Sequence, residues 1–168
     1  MHALATVLLA IVLTPVSAFS QSDLKSLVLK HLKTSEDFTV KVAEAMRASD
    51  YDFRLSSPQM SFGQQLVHLS QGFDYILSPF FGEKPNPPKP KSTSKDDVIA
   101  FIKSSFDRAI NRISSLTPEQ VSKNYTSEGY TASGQDLLLG VLDHTTHHRA
   151  SAELYLRAKG ITPPEYQF

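Results

Sequence analysis

The chain contains no cysteine. Disulfides, zinc ribbons and thiol nucleophiles are therefore excluded, and the fold is indifferent to the redox state of its compartment. Any catalytic thiol has to arrive on a substrate. Net charge is missing too, since 17 basic and 17 acidic side chains balance. With no dense basic run either, there is no electrostatic case for nucleic acid as a partner. No Gly-rich phosphate loop, Gly-x-Ser-x-Gly turn or kinase set occurs.

The apolar stretch Ala3–Val16, broken only by Thr6 and Thr14, is too short for a typical spanning helix. It reads instead as an export signal, residues 1–18. Val16-Ser17-Ala18 fits a small-residue cleavage site after Ala18, and cleavage after Ser20 is the alternative. The n-region is atypical, with no Lys or Arg. The competing reading is an apolar helix that stays attached as an anchor; a lipid-bearing cysteine is ruled out. The expectation is an exported protein, periplasmic or secreted, with no stable membrane span after signal removal. The remainder, 22–168, suits one domain and buries roughly two-thirds of its unfolded surface.

Apolar residues then recur at three- and four-residue steps. Leu24, Leu27, Val28, Leu32, Phe38, Val42 and Met46 predict a first helix over Asp23–Ala48. His31 lies beside that stripe, as a packed or half-exposed residue. A connection, Ser49–Met60, is followed by Ser61-Phe62-Gly63-Gln64, a capping-box pattern. It opens a second helix with the stripe Phe62, Leu66, Leu69, Phe73, Ile76, Leu77 and Phe80. Gly72, one turn after His68, suggests a close approach. Gly82–Ser94 holds Pro85, Pro87, Pro88 and Pro90 and cannot be helix. As polyproline II, nine such residues reach roughly 28 Å, and a helix of about 18 residues is roughly 27 Å long. The segment can carry the chain back along helix two, so helices two and three should run parallel, joined by a crossover. A docking site for SH3-like partners is the lesser reading of the same prolines.

Helix three is expected over Lys95–Ser115, capped by Ser94, with Val98, Phe101, Ile102, Ser105, Ala109, Ile110 and Ile113 inward. Thr117-Pro118-Glu119-Gln120 is a short helical start. Asn124–Ser133 reads as polar loop, and Asn124-Tyr125-Thr126 is a glycosylation sequon. Helix four runs from about Ser133 to Lys159, stopped by Gly160 and Pro163-Pro164. Its inner face reads Leu137, Val141, His144, His148, Ala152, Tyr155. The fold class is all-α, a four-helix bundle.

His144 and His148 are four residues apart, so on a helix they share one face about 6 Å apart along the axis. Each neutral ring carries one donor and one acceptor to satisfy. A cation satisfies acceptor nitrogens directly, and neutral histidine is the commonest metal ligand. Hydrogen-bonded core or rim histidines are the plainer alternative. A third ligand has to come from elsewhere, and His68 is the best candidate. His147 faces about 100° away from His148 and reads as a surface or interface residue. Asp143 reads as solvated charge or as a carboxylate orienting a ring. The pair is not a metalloprotease motif, because Thr145 stands where glutamate is needed and Glu153 lies beyond. Tyr155 is a core tyrosine or a proton donor.

The stretches DHTTHHRASAELYLRAKGITPP and YDFRLSSPQMSFGQQLVHL resemble the DinB/YfiT-like superfamily, over nearly all of residues 22–168. The resemblance implies an up-down-down-up four-helix bundle. It also implies a three-histidine site for a divalent metal, typically zinc or nickel, with His68, His144 and His148 as ligands. Ala150-Ser151 stand where many relatives have Gly-Gln.

Three imidazoles leave a position open on the ion, whereas structural zinc sites close all four. An open position can polarise a substrate or lower the pKa of a thiol or water. Relatives include metal-dependent transferases and isomerases acting with low-molecular-weight thiols, so the resemblance implies a metal-dependent enzyme of thiol S-transferase or hydrolase type on a small-molecule substrate. The second reading is a non-catalytic, metal-stabilised bundle that binds a ligand, as a homodimer through its helix faces. Protonated imidazole cannot coordinate, so the ion should leave on acidification through about 6.5.

Overall fold

A computed structural model describes residues 21–127 and 129–167. The expected signal segment and its cleavage site lie outside the described residues. The chain is mostly helical. α1 (Gln21–Ala45) buries Val28, Leu32, Phe38, Val42 and Met46 just beyond its end. Leu27, expected in that stripe, is instead 42% exposed. α1 stops before a 3-10 turn, Ala48–Asp50. Tyr51 closes the corner that follows: its hydroxyl donates 2.8 Å to the Ala43 carbonyl and its ring meets Phe62 edge-on at 5.2 Å.

α2 (Phe62–Leu77) starts with the expected capping box, the Gln64 N–H on Ser61 Oγ at 3.3 Å and the Ser61 N–H on Gln64 Oε1 at 2.9 Å. Ser61 is itself buried. Ser61→Ala should cost about 1 kcal/mol, read as a melting temperature roughly 2–4 °C lower in a domain of this size.

After a 3-10 turn, Ser78–Phe81, the proline segment runs back along α2. The Asp74 carboxylate accepts from the Asn86 N–H at 2.6 Å, and Gln71 Nε2 donates to the Pro88 carbonyl at 3.0 Å. The chain thus passes residue 74 before residue 71. α3 (Lys95–Ser114) follows and packs against α2, Phe73 edge-on to Phe106 at 4.8 Å. α1 and α3 run in opposite directions. Lys25 donates to the Ser114 and Leu116 carbonyls at the end of α3, and Lys95 donates to the Glu44 and Met46 carbonyls at the end of α1.

α4 (Pro118–Ser122) is the short turn expected after Thr117. The polar loop predicted over Asn124–Ser133 is instead an antiparallel hairpin, β1 (Asn124–Ser127) with β2 (Tyr130–Ser133), in the register Asn124↔Ser133 to Ser127↔Tyr130. The overlooked cue was Gly129, φ 83°, in a two-residue connection between short runs rich in Tyr and Thr. A glycine takes that conformation without a Cβ penalty. Asn124 of the sequon is exposed.

α5 (Gly134–Ala158) is capped by Ser133 and ends at Gly160, φ 71°. It runs opposite to α2: the Tyr155 hydroxyl donates to the Met60 carbonyl at 2.5 Å, and Gly134 lies near Phe80. The core draws on every long helix, with Leu32, Leu66, Phe106 and Leu138 fully enclosed. Among the described residues no helix is long and apolar enough to cross a membrane.

Candidate metal centre

α2 and α5 lay two faces against each other. On α2, Gln65, His68 and Gly72 follow at steps of three and four, so they share a face. On α5 the facing pair is His148 and His144. Because the helices run oppositely, Gln65 meets His148, Gly72 meets His144, and His68 stands between. Its ring centroid lies 4.5 Å from His148 and 5.4 Å from His144, and the α5 pair is 4.5 Å apart. One ligand nitrogen from each of the three lies within 4.8 Å of the others. The three residues named from sequence are thus brought together, and they can hold a metal ion.

Each ring has a distinct setting. His68 is exposed, His144 half-buried and His148 nearly enclosed. The deepest side chains of α5 are Leu138, Val141, Thr145, Ala152, Tyr155 and Leu156. Val141, His148, Ala152 and Tyr155 of the expected inner face are buried, while His144 and Leu137 are half-buried at its edge. α5 packs against both α1 and α2, so its buried arc is wider than one stripe. Exposed His68 and half-buried His144 leave the cluster open to solvent, where an ion and a substrate can reach it.

The close approach suggested at Gly72 is real. A Cβ there would fall on the His144 ring, with Nε2 only 2.8 Å away. His144 Nδ1 is buried with no hydrogen-bond partner. A buried polar atom without a partner is costly, and a cation at an imidazole nitrogen is one remedy. His148 Nδ1 lies 2.8 Å from Gln65 Oε1, so its other nitrogen remains available. The donor set therefore fits a divalent ion that accepts neutral nitrogen ligands.

Sequence reasoning missed Gln65, which is 9% exposed. Its signal was a position three residues before His68, on the same helical face. The Arg after the histidine pair, Arg149, was read as part of the motif but not as buried: it is 4% exposed, its guanidinium lies over the Phe38 ring at 4.6 Å, and Nη1 has no partner. The other expectations stand where they were placed. His147 is exposed, edge-on to His148 at 4.8 Å; Asp143 is exposed; His31 is half-buried. Tyr155 is buried with its hydroxyl donating to Met60, as a core residue.

Burial, reinforced by the neighbouring rings, pushes His144 and His148 down from 6.5 to about 4. The unfolded chain binds protons at these rings near 6.5 and the folded chain only near 4. Stability from them is therefore complete above about 6.5 and is lost as pH falls toward 4. Metal-free protein should melt at a lower temperature at pH 4.5 than at pH 7.5, measured by calorimetry in chelator. Glu153, raised by burial, works with the opposite sign in part of that window. An unchanged or higher melting temperature at pH 4.5 would mean the rings are not held neutral.

The profile of the DinB family matches residues 19–168. No curated protein matches. Two solved structures share the fold. A DinB-like protein from Bacillus subtilis is 20% identical, with a TM-score of 0.70 over 84% of this chain and 98% of that one. A DinB-like protein from Bacillus cereus is 17% identical, with a TM-score of 0.72 over 83% of this chain and 95% of that one. On the profile match over most of its length, the chain belongs to the DinB family.

Proposed function

We propose that His68, His144 and His148 hold one divalent cation, zinc or nickel, and that the protein is a metal-dependent enzyme of thiol S-transferase or hydrolase type. The observation that carries this reading is the convergence of three imidazoles from two helices, one of them exposed. A bound cation of this kind supplies Lewis acidity to a substrate reaching its open position. The chain's own residues hold the ion, keep two of the rings neutral and leave the solvent side clear. Lacking cysteine, the protein takes any thiol from a small-molecule substrate. The Tyr155 hydroxyl, donating to Met60, is not part of this chemistry. Export through residues 1–18 belongs to the same reading and is checked by cell fractionation.

Purified protein stripped with chelator and refilled should hold one zinc or nickel per chain by elemental analysis. His68→Ala should weaken binding about 100-fold or more, since each ligand carries a share of a binding energy of roughly 10 kcal/mol. Loaded protein is then screened for thiol–electrophile conjugation and for ester and amide hydrolysis. Activity no higher than that of metal-free protein, with a melting temperature raised sharply by metal, removes the enzyme and leaves the metal-stabilised binding bundle. No bound ion removes both.

A further inference from the structure

We infer that Gln65 is a positioning residue for this site: its side-chain carbonyl holds His148 with the proton on Nδ1, so that Nε2 is the nitrogen turned over to a ligand. The inference rests on the metal reading for what the ligand is. The tautomer is a property of the metal-free protein and can be decided without metal.

Gln65 Oε1 lies 2.8 Å from His148 Nδ1, and both side chains are nearly enclosed. A carbonyl oxygen can only accept, so the ring nitrogen facing it has to donate. In a neutral imidazole one donating nitrogen leaves the other as a lone pair. A histidine side chain free in water prefers its proton on Nε2, the opposite arrangement. Without Gln65 the ring would have to change tautomer before presenting Nε2, and would be free to rotate. Ligating histidines are commonly fixed in this way by a second hydrogen bond from the other nitrogen.

His144 offers the contrast inside the same cluster. Its Nδ1 is buried with no partner, so no hydrogen bond there selects a tautomer. Its position is set by shape, through the missing Cβ of Gly72. One α5 ring is thus oriented by a hydrogen bond and the other by a steric gap, and both devices lie on the α2 face that carries His68. A slip of α2 by one residue would lose all three together.

The test uses long-range nitrogen–proton correlation spectra of the histidine rings in metal-free full chain, with His148 assigned by its loss in His148→Ala. Wild type should show His148 with Nδ1 protonated. Gln65→Leu, similar in size but without an acceptor, should shift that ring toward Nε2 protonation. Gln65→Glu, which keeps an acceptor, should restore the wild-type pattern. In parallel, zinc affinity measured by chelator competition should fall about 10–100-fold in Gln65→Leu and return to within a few-fold in Gln65→Glu. A merely structural glutamine would lower the melting temperature in both variants without moving the tautomer. An Nε2-protonated His148 in wild type overturns the inference with no variant needed, and so does a Gln65→Leu spectrum identical to wild type. Zinc binding absent from wild type overturns the metal reading instead, while the spectra still decide what Gln65 does to His148.

Discussion

Replacing Gly72 with alanine is expected to weaken divalent-metal binding about 100-fold or more while the bundle still folds. A Cβ at this position would land on the His144 ring, closer than carbon approaches any unbonded atom. Something has to move, and the cheapest mover is His144, which is only half-buried and can swing toward solvent. Overpacking costs about 1–3 kcal/mol, partly offset by the roughly 1 kcal/mol that alanine gains over glycine inside a helix. The net cost is then at most about 2 kcal/mol, which the bundle survives. The site does not share that tolerance, because a binding constellation has to be held within about 0.5 Å of its working geometry. Gly140 supplies the control. It lies one turn before His144 on α5, and a Cβ there meets nothing within 4 Å. Gly140→Ala should leave zinc affinity unchanged and raise the melting temperature slightly. Chelator competition and calorimetry on both variants separate the effects. Metal held by Gly72→Ala as tightly as by wild type would mean that His144 does not ligate from the position it occupies here.

This pairing of faces also marks how far the sequence could be read. Helical spacing placed His144 beside His148, because a period of 3.6 residues fixes which side chains share one face of one helix; His68, on another helix, entered as the best third candidate and through the family resemblance. The crossover was legible for a similar reason: four prolines exclude helix, and the reach of an extended chain matches the length of α2. Spacing says nothing about which residue of another helix stands opposite. Gln65 read as one polar residue among several in α2 until the antiparallel packing set it against His148. Phe106 and Leu138, both fully enclosed, were left out of their stripes because each helix of the bundle packs against two neighbours and buries more than one narrow row. Arg149 belongs to the motif that carries the resemblance, but its placement over Phe38 depends on α1, far away in sequence. The hairpin was missed for a different reason. Strands of four residues are too short for alternation to stand out against a polar background, and a single glycine carried the turn.

His144→Leu should act in opposite directions on binding and on stability. Two ligands remain, so one-to-one zinc binding should fall below detection at micromolar protein, and the rise in melting temperature with zinc should vanish. In wild type that rise reflects about 2.7 kcal/mol when free metal is 100 times the dissociation constant. Metal-free, the variant should be at least as stable as wild type at pH 7. The ring it loses carries a buried Nδ1 with no partner, and exchanging a dissatisfied polar group for an apolar one of similar size removes a desolvation cost. At pH 5 the variant should be the more stable of the two. Burial, then the neighbouring His68 and His147, holds His144 near 4, and His144 is the leading charge contribution lowering His148. Removing it deletes one proton-linked loss and relieves part of the second, so less stability disappears between about 6.5 and 4. His144→Ala controls for fit: it also loses zinc but leaves a gap beside Gly72, and so should melt below the leucine variant at both pH values. A leucine variant that still gains stability from zinc would show that the ion is held elsewhere. One that melts below wild type in chelator at pH 5 would show that the clustered rings stabilise the empty fold. The opposite result, a cluster that weakens the bundle until something binds it, is what a site kept for its ligand should display.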